Sequence, residues 1–290
     1  FWISDNGSVY QVIKSSFVEL PIKIIDLKYV DSNEIIEKMN EIKERIIGKL
    51  RDFKNGVTHY LLIITTPNNN KRIVWLFNHI LFDGWSLSIL INEMWNKKTI
   101  LGINEVSNRD YVLWLNQNKE TISESTDFQS LLSEFNGVCS NLFNNRDLLQ
   151  SSREVNREVR ITLEKELTNE IYKYAKHNDI KVAQIFNYLW GYIISHLSKK
   201  SKVTFGLVDS GREINVPDIE NKVGLFIKTL PILFSRDEDK TIINEIKKLE
   251  EVKSNIFANV ISISKLKQKL NIPSWQLLYD TLLVIENFQE

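Results

Sequence analysis

The sequence predicts a mixed α/β protein, an α+β sandwich built from two α/β lobes packed side by side. Helix-like and strand-like apolar patterns occur in both halves of the chain. No short repeat indicates a solenoid, and a polar, poorly periodic region at residues 121–157 separates the halves. We therefore expect an N-terminal lobe over residues 1–150 and a C-terminal lobe over residues 151–290.

The composition is that of a globular protein with a substantial core. Of the 290 residues, 43% are hydrophobic and 26% are charged, which excludes a disordered chain. Lys and Arg number 37, as do Asp and Glu, so no net charge favours a nucleic acid or an anionic membrane as partner. The single Cys139 and the four histidines give neither a disulfide nor a zinc-binding spacing. This spacing leads us to expect no metal site. The apolar runs are too short to cross a bilayer, so we expect a cytoplasmic protein.

The first predicted elements are a hairpin and a helix. Residues 1–3 and 9–13 flank an Asn-Gly turn at residues 6–7, which favours a β-hairpin. Asp31, with Glu34 three positions later, has the pattern of a capping box that starts a helix. The apolar residues of that helix repeat every three or four positions: Ile35, Met39, Ile42 and Ile46.

A strand, a tight loop and a helix follow. Residues 57–65 and 71–77 are predicted to form two strands, paired through a turn at residues 67–70. Ser86 is placed to cap the next helix, whose apolar residues form one stripe. The stripe consists of Leu87, Leu90, Ile91, Met94 and Trp95.

The rest of the chain predicts further helices and strands in mixed order. In sequence they are a helix at 110–119, helices at 163–174 and 182–197, strands at 203–208 and 223–233, a helix at 242–257 and a buried strand at 282–285. The helical spacing of Trp95, Trp114 and Trp190 favours core packing over a ligand site.

The loop between the strand at 71–77 and the next helix holds residues suited to acid–base chemistry. His79 lies beside a helix N-terminus, and an imidazole accepts and returns a proton near neutral pH. Asp83 is placed to anchor the loop, and Gly84 permits a tight or left-handed backbone. Neither a Gly-x-Ser-x-Gly elbow nor a histidine close to Cys139 indicates a protein nucleophile. Spacing alone favours a structural histidine at the end of a strand, so the local pattern leaves function open.

Residues 77–86, FNHILFDGWS, resemble the HHxxxDG segment of condensation domains of nonribosomal peptide synthetases. Four further segments are similar to segments of that family and occur in the same order. They are residues 109–115 (RDYVLWL), 205–212 (FGLVDSGR), 223–231 (VGLFIKTLP) and 280–287 (DTLLVIEN). The order and spacing of these segments are much more specific than any one of them.

The resemblance implies two chloramphenicol-acetyltransferase-like lobes in a V, with His79 midway along a tunnel between them. It implies no directly bound cofactor, because the substrates travel on the 4'-phosphopantetheine arms of carrier domains. The expected partners are upstream and downstream peptidyl carrier domains and an adenylation domain of the same multienzyme, in the synthesis of a secondary metabolite such as an antibiotic. Segments that the family has before residue 1 and after residue 290 are missing, so we expect a domain incomplete at both ends.

The resemblance also assigns roles to the motif residues. His79 would position or deprotonate the acceptor amine, Asp83 would be structural, and Gly84 would keep the loop tight. Three positions depart from the family pattern: Asn78 replaces the first histidine, Lys228 an asparagine, and Leu233 an arginine. These departures favour a non-catalytic carrier-docking domain as an alternative to an amide-forming enzyme. A free-standing acyltransferase that uses coenzyme A is a separate alternative, which the sequence flanking this chain would decide.

Overall fold

The computed structural model describes residues 2–3, 9–10, 21–31, 33–51, 58–96, 108–118, 126–135, 138, 158–259 and 263–286. The chain divides into two compact units. The first unit comprises Phe1–Lys98 and Val223–Leu225, and the second comprises Thr99–Lys222 and Phe226–Glu290. A short segment from late in the sequence thus belongs to the first unit.

The central sheet of the first unit has the strand order β3-β4-β5. Strand β4 (His59–Thr65) pairs antiparallel with β5 (Lys71–Phe77), as the sequence predicts. Strand β3 (Ile22–Asp26) pairs parallel with β4 and was not predicted, because its five residues are too few to define a clear alternation. Strands β1 (Trp2–Ile3) and β2 (Val9–Tyr10) form the predicted hairpin pair, whose turn lies outside the described residues.

The described part of the first unit also contains two helices. Helix α1 spans Ile35–Leu50, and its N-cap is Glu34 without a side-chain cap, so the predicted capping box of Asp31 is wrong. The Asp31 carboxylate instead accepts a hydrogen bond from the amide of Asn33 in the preceding turn. Helix α2 spans Gly84–Asn96. The buried core beneath α1 consists of Leu27, Ile46, Leu50, Leu62 and Ile64.

The sheet of the second unit has the strand order β7-β6-β8. Strand β6 (Lys202–Asp209) pairs antiparallel with β7 (Lys228–Ser235) and parallel with β8 (Leu282–Val284). The predicted strand at 223–233 therefore begins only at Lys228, because residues 223–225 belong to the first unit. Strand β8 lies where the sequence predicts a strand, but it is not buried, since Leu282 and Val284 are exposed.

Six helices of the second unit lie within the described residues. They are α3 (Arg109–Asn118), α4 (Thr126–Phe135), α5 (Lys165–His177), α6 (Val182–Ser198), α7 (Ile242–Ala258) and α8 (Ile263–Lys269). The sequence predicts all but α4 and α8. Helix α4 lies in the region interpreted as polar and poorly periodic, yet its Phe135 is buried in the core of this unit. Trp190 packs against the same core, whereas Trp95 of the first unit is 69% exposed, so its predicted core position is wrong.

The boundary predicted between residues 150 and 151 lies within 139–157, outside the described residues, and stays a prediction. Helices α3 and α4, placed in the N-terminal lobe by the sequence, group with the second unit. Their packing explains this grouping. Tyr111 of α3 contacts the ring of Phe226 with a centroid distance of 4.9 Å, and Phe135 of α4 joins the core formed by β6, β7 and α7. No helix among the described residues has the length and hydropathy needed to span a membrane.

Candidate active site

The motif loop comprises residues 78–83, between the end of β5 and the start of α2. Its first residue still follows the strand, because the amide of Asn78 donates to the carbonyl of Thr58 at 2.8 Å. The chain then turns, and the amide of Leu81 donates back to the carbonyl of Asn78 at 3.1 Å. The predicted order of strand, tight loop and helix is thus confirmed.

Asn78 fixes the start of this loop with both ends of its side chain. Its Nδ2 donates to the carbonyl of Leu50 at the C-terminus of α1 (3.0 Å), and its Oδ1 accepts from the amide of Ile80 (3.0 Å). One side chain therefore joins a helix end to the loop and closes a local turn. This arrangement needs a donor and an acceptor at the same time, which an amide provides.

Phe82 holds the middle of the loop against the sheet. Its side chain is buried, and its ring lies 4.4 Å from that of Phe77 and 5.5 Å from that of Trp75, measured between centroids. Both partners are on β5, so the loop folds back on the strand from which it came. Burial of an aromatic side chain of this size stabilises a conformation by about 1.5–3 kcal/mol.

Asp83 caps helix α2. Its side chain is 1% exposed, and Oδ1 accepts from the amide of Ser86 at 2.9 Å, the geometry of an N-cap residue and its third helical residue. The prediction that Ser86 is the cap is therefore wrong, since Ser86 lies inside the first turn. The sequence left either a tight or a left-handed backbone open at Gly84. Gly84 is the first residue of α2, and the only described glycine with a positive φ is Gly211, so Gly84 is not left-handed.

Ser86 has a different role that the sequence did not indicate. The side chain is 0% exposed, its hydroxyl donates to the carbonyl of Gly224 at 2.9 Å, and its Oγ accepts from the amide of Gly224 at 3.0 Å. The amide of Asp83 also donates to the carbonyl of Gly224, at 3.1 Å. Residues 83–86 thus hold the segment Val223–Leu225 in the first unit.

His79 lies on the exposed side of the loop that these contacts fix. No side chain or backbone group in the described part of the chain forms a hydrogen bond or ion pair with its imidazole. The other histidine of the first unit, His59, lies at the start of β4 opposite Phe77 and is half-buried. Burial lowers the pKa of His59, which favours its neutral form. His79 is therefore the more exposed of the two histidines of this unit.

A family model described as "Condensation domain" matches residues 1–290. The chain belongs to the condensation-domain family of nonribosomal peptide synthetases. It is 26% identical over 313 residues to bacitracin synthase 3 of Bacillus licheniformis, covering 97% of this chain and 5% of that one. It is 25% identical over 291 residues to gramicidin S synthase 2 of Brevibacillus brevis, covering 96% of this chain and 6% of that one. The chain thus spans a small part of the curated relatives that it matches.

Solved structures support the same fold. The cyclization-docking bidomain of EpoB from Sorangium cellulosum is 17% identical with a TM-score of 0.68, covering 94% of this chain and 57% of that one. The first condensation domain of the CDA synthetase is 12% identical with a TM-score of 0.57, covering 99% of this chain and 64% of that one. The predicted α/β fold class of chloramphenicol-acetyltransferase-like lobes is confirmed.

The second unit contains Arg212, the last residue of the segment 205–212. The side chain is buried, and its guanidinium donates to the carbonyls of Ile219 and Lys222 and lies over the ring of Phe226. Arg212 is therefore an anchor for residues 219–222 and for Phe226. The buried ammonium of Lys222 in turn pairs with Asp110 of α3 at 3.3 Å. Within the described residues, no group of His, Cys, Asp and Glu is arranged to hold a metal ion.

Proposed function

We propose that this chain catalyses amide bond formation between an acceptor aminoacyl group and a donor acyl or peptidyl thioester. Both substrates are carried on the phosphopantetheine arms of carrier domains, with an adenylation domain in the same multienzyme. The acceptor α-amine attacks the thioester carbonyl, so that a carbon–nitrogen bond forms and the carbon–sulfur bond breaks. His79 accepts the amine proton and returns it to the departing thiolate, giving a free carrier thiol.

The observation that carries this proposal is an exposed histidine on a loop fixed on both sides. Asn78 holds the loop to α1 on one side of His79, and Asp83 caps α2 on the other. A catalytic base must be held within about 0.5 Å of its productive position, and hydrogen bonds on both sides of His79 restrict the loop that carries it. The nucleophile is supplied by the substrate, so the protein needs no serine or cysteine of its own.

The test is a turnover assay with the full-length multienzyme and loaded donor and acceptor carriers. His79→Ala is expected to lower the rate of dipeptide formation by about 10²–10⁴-fold, the usual contribution of a positioned acid–base group. The matched control is His177→Ala, an exposed histidine of α5 in the second unit, which should retain the wild-type rate. Wild-type product formation by His79→Ala would rule out the proton-transfer role.

A second candidate is a carrier-docking domain without turnover, favoured by three departures from the family pattern. Asn78 replaces a histidine, Lys228 replaces an asparagine, and Leu233 replaces an arginine. Leu233 is buried in the core of the second unit, where it provides no charge. An acyltransferase that uses coenzyme A is the third candidate, and formation of the amide from an acyl-coenzyme A donor without carriers would support it.

Restoring the first histidine separates the first two candidates. If Asn78→His changes the rate of a working wild-type protein by less than about tenfold, the amide contacts of Asn78 suffice for catalysis. If the wild type is silent and Asn78→His produces dipeptide, the domain is a docking module that has lost its activity. A matched double variant, Asn78→His with His79→Ala, should not exceed the rate of His79→Ala in either case.

A further inference from the structure

The second unit has a cavity of about 320 Å³, the size of a small-molecule site. Its apolar wall includes Trp114, Ile214 and Phe257, which are all half-buried. Its polar wall includes the ammonium groups of Lys228 and Lys253. A cavity with an aromatic wall and a charged wall suits a ligand with an apolar body and an ionised group.

Each carboxylate of the cavity lining is either paired with a lysine or exposed to solvent. Asp209 accepts from the amide of Gly211 at 3.0 Å and pairs with Lys253 at 3.6 Å. Lys253 also pairs with Glu250 at 3.3 Å. Glu213, the other carboxylate of the lining, is exposed to solvent. None of these pairings includes the second cation of the lining, which is half-buried.

That cation is Lys228, a residue that departs from the family pattern. It lies at the start of β7 directly opposite Asp209 of β6, and its side chain is half-buried. Within the described part of the chain, no carboxylate lies within 4.0 Å of its ammonium and no acceptor is hydrogen bonded to it. Burial lowers the pKa of Lys228, although the charge of Asp209 acts in the opposite direction. A partly desolvated ammonium with three donors is stabilised by an anionic acceptor.

We propose that this cavity binds a small monocarboxylate, with its carboxylate on the ammonium of Lys228 and its apolar body against Trp114 and Phe257. A single carboxylate matches the one ammonium of the lining that has no salt bridge to a described residue, whereas a phosphate dianion would bring a second negative charge into a partly desolvated site. This inference does not depend on the amide-forming proposal, because it concerns binding to the second unit alone. The asparagine that the family pattern has at the position of Lys228 carries no charge, so it would not provide this cation.

The test uses the full chain and 3-phenylpropanoate, with the neutral 3-phenylpropanamide as the matched ligand. Titration followed by NMR should show that the wild type binds the carboxylate about tenfold or more tightly than the amide, and tighter than inorganic phosphate. Lys228→Met, which keeps the apolar stem, should lose that tenfold preference. Lys202→Met, at the exposed start of β6, is the control and should retain it.

A second variant and a pH series distinguish the loss of the Lys228 ammonium from misfolding of the Lys228→Met variant. Ser254→Trp adds a large side chain at the exposed rim of the cavity and leaves Lys228 in place, so it should lower the affinity for both phenyl ligands. Carboxylate affinity should fall as the pH rises toward the ordinary lysine value of 10.5, beginning below it because the pKa of Lys228 is lowered. Equal affinities of the wild type and Lys228→Met, tighter binding of phosphate, or binding unaffected by Ser254→Trp would each overturn the proposal.

Discussion

The hydroxyl of Ser86 binds both backbone polar groups of Gly224, a residue 138 positions later in the chain. The hydroxyl donates to the carbonyl at 2.9 Å, and the same oxygen accepts from the amide at 3.0 Å. Ser86 lies in the first turn of α2, directly after the motif loop. The helix that follows His79 is thus fixed to a segment that the sequence places far away.

Ser86→Ala should lower the free energy of unfolding of the first unit by about 1–3 kcal/mol. The substitution removes both bonds and leaves the amide of Gly224 without its partner, while the carbonyl keeps its bond from the amide of Asp83. Urea unfolding followed by tryptophan fluorescence measures the change. Ser88→Ala is the control, since its hydroxyl makes only a 3.4 Å contact with the carbonyl of Gly84 in the same helix. Equal unfolding midpoints for both variants would contradict the role of Ser86.

Asn78→Ala should destabilise the loop by about 1–2 kcal/mol, because it removes one bond to Leu50 and one from Ile80. Asn78→Asp keeps the acceptor for Ile80 and loses the donor to Leu50. Hydrogen exchange at the amide of Ile80 therefore separates the two bonds. We expect faster exchange in Asn78→Ala and retained protection in Asn78→Asp; fast exchange in both would show that the bond to Leu50 holds the loop.

The strand and helix on either side of the site follow from the sequence, while the contacts that fix the loop do not. The apolar run of β5 and the apolar stripe of α2 predict both elements near their observed bounds. Asp83 and Ser86 are both good N-cap residues, so local pattern alone did not decide which one caps α2. The bonds of Ser86 to Gly224 depend on tertiary structure and have no local sequence pattern.

The elements missed by the sequence have a common physical cause. Strand β3 and helices α4 and α8 are short, with five, ten and seven residues, so few positions define a period. The two helices are stabilised by packing, since Phe135 of α4 and Leu266 of α8 lie in the core of the second unit. Strand β3 is largely exposed and is held by its pairing with β4. Tertiary burial selects such segments more strongly than their own pattern does.

Substitution by alanine should change the free energy of unfolding in opposite directions at Gly211 and at Gly48. Gly211 has φ +66°, and a Cβ there would lie 1.9 Å from the carbonyl oxygen of Phe226. Gly211→Ala should therefore destabilise the second unit by about 2 kcal/mol or more. Gly48 lies inside α1, where a Cβ would meet no atom within 4 Å, so Gly48→Ala should stabilise the protein by roughly 0.5–1 kcal/mol. Urea midpoints that move in the same direction for both variants would refute this account.

The contribution of Tyr188 to the stability of the second unit should decrease at alkaline pH. Its hydroxyl donates to Glu245 at 2.6 Å, and both residues are buried. Burial, followed by the hydrogen bond to Glu245 and the charge of that carboxylate, raises the pKa of Tyr188 well above its ordinary value of 10.0. Above that pH the unfolded chain loses a proton that the folded protein keeps. The stabilisation is therefore complete below about pH 10 and is lost as the pH rises further.

Unfolding midpoints of the wild type and Tyr188→Phe between about pH 9 and about pH 11 measure this contribution. The wild type should lose stability more steeply, with a difference in slope of at most about 1.4 kcal/mol per pH unit. Tyr172→Phe is the matched control, because Tyr172 is 62% exposed on α5, and this variant should follow the wild type. Other groups that titrate in this range cancel in the comparison, since the variants retain them. Parallel curves for the wild type and Tyr188→Phe would mean that Tyr188 titrates alike in the folded and unfolded chains.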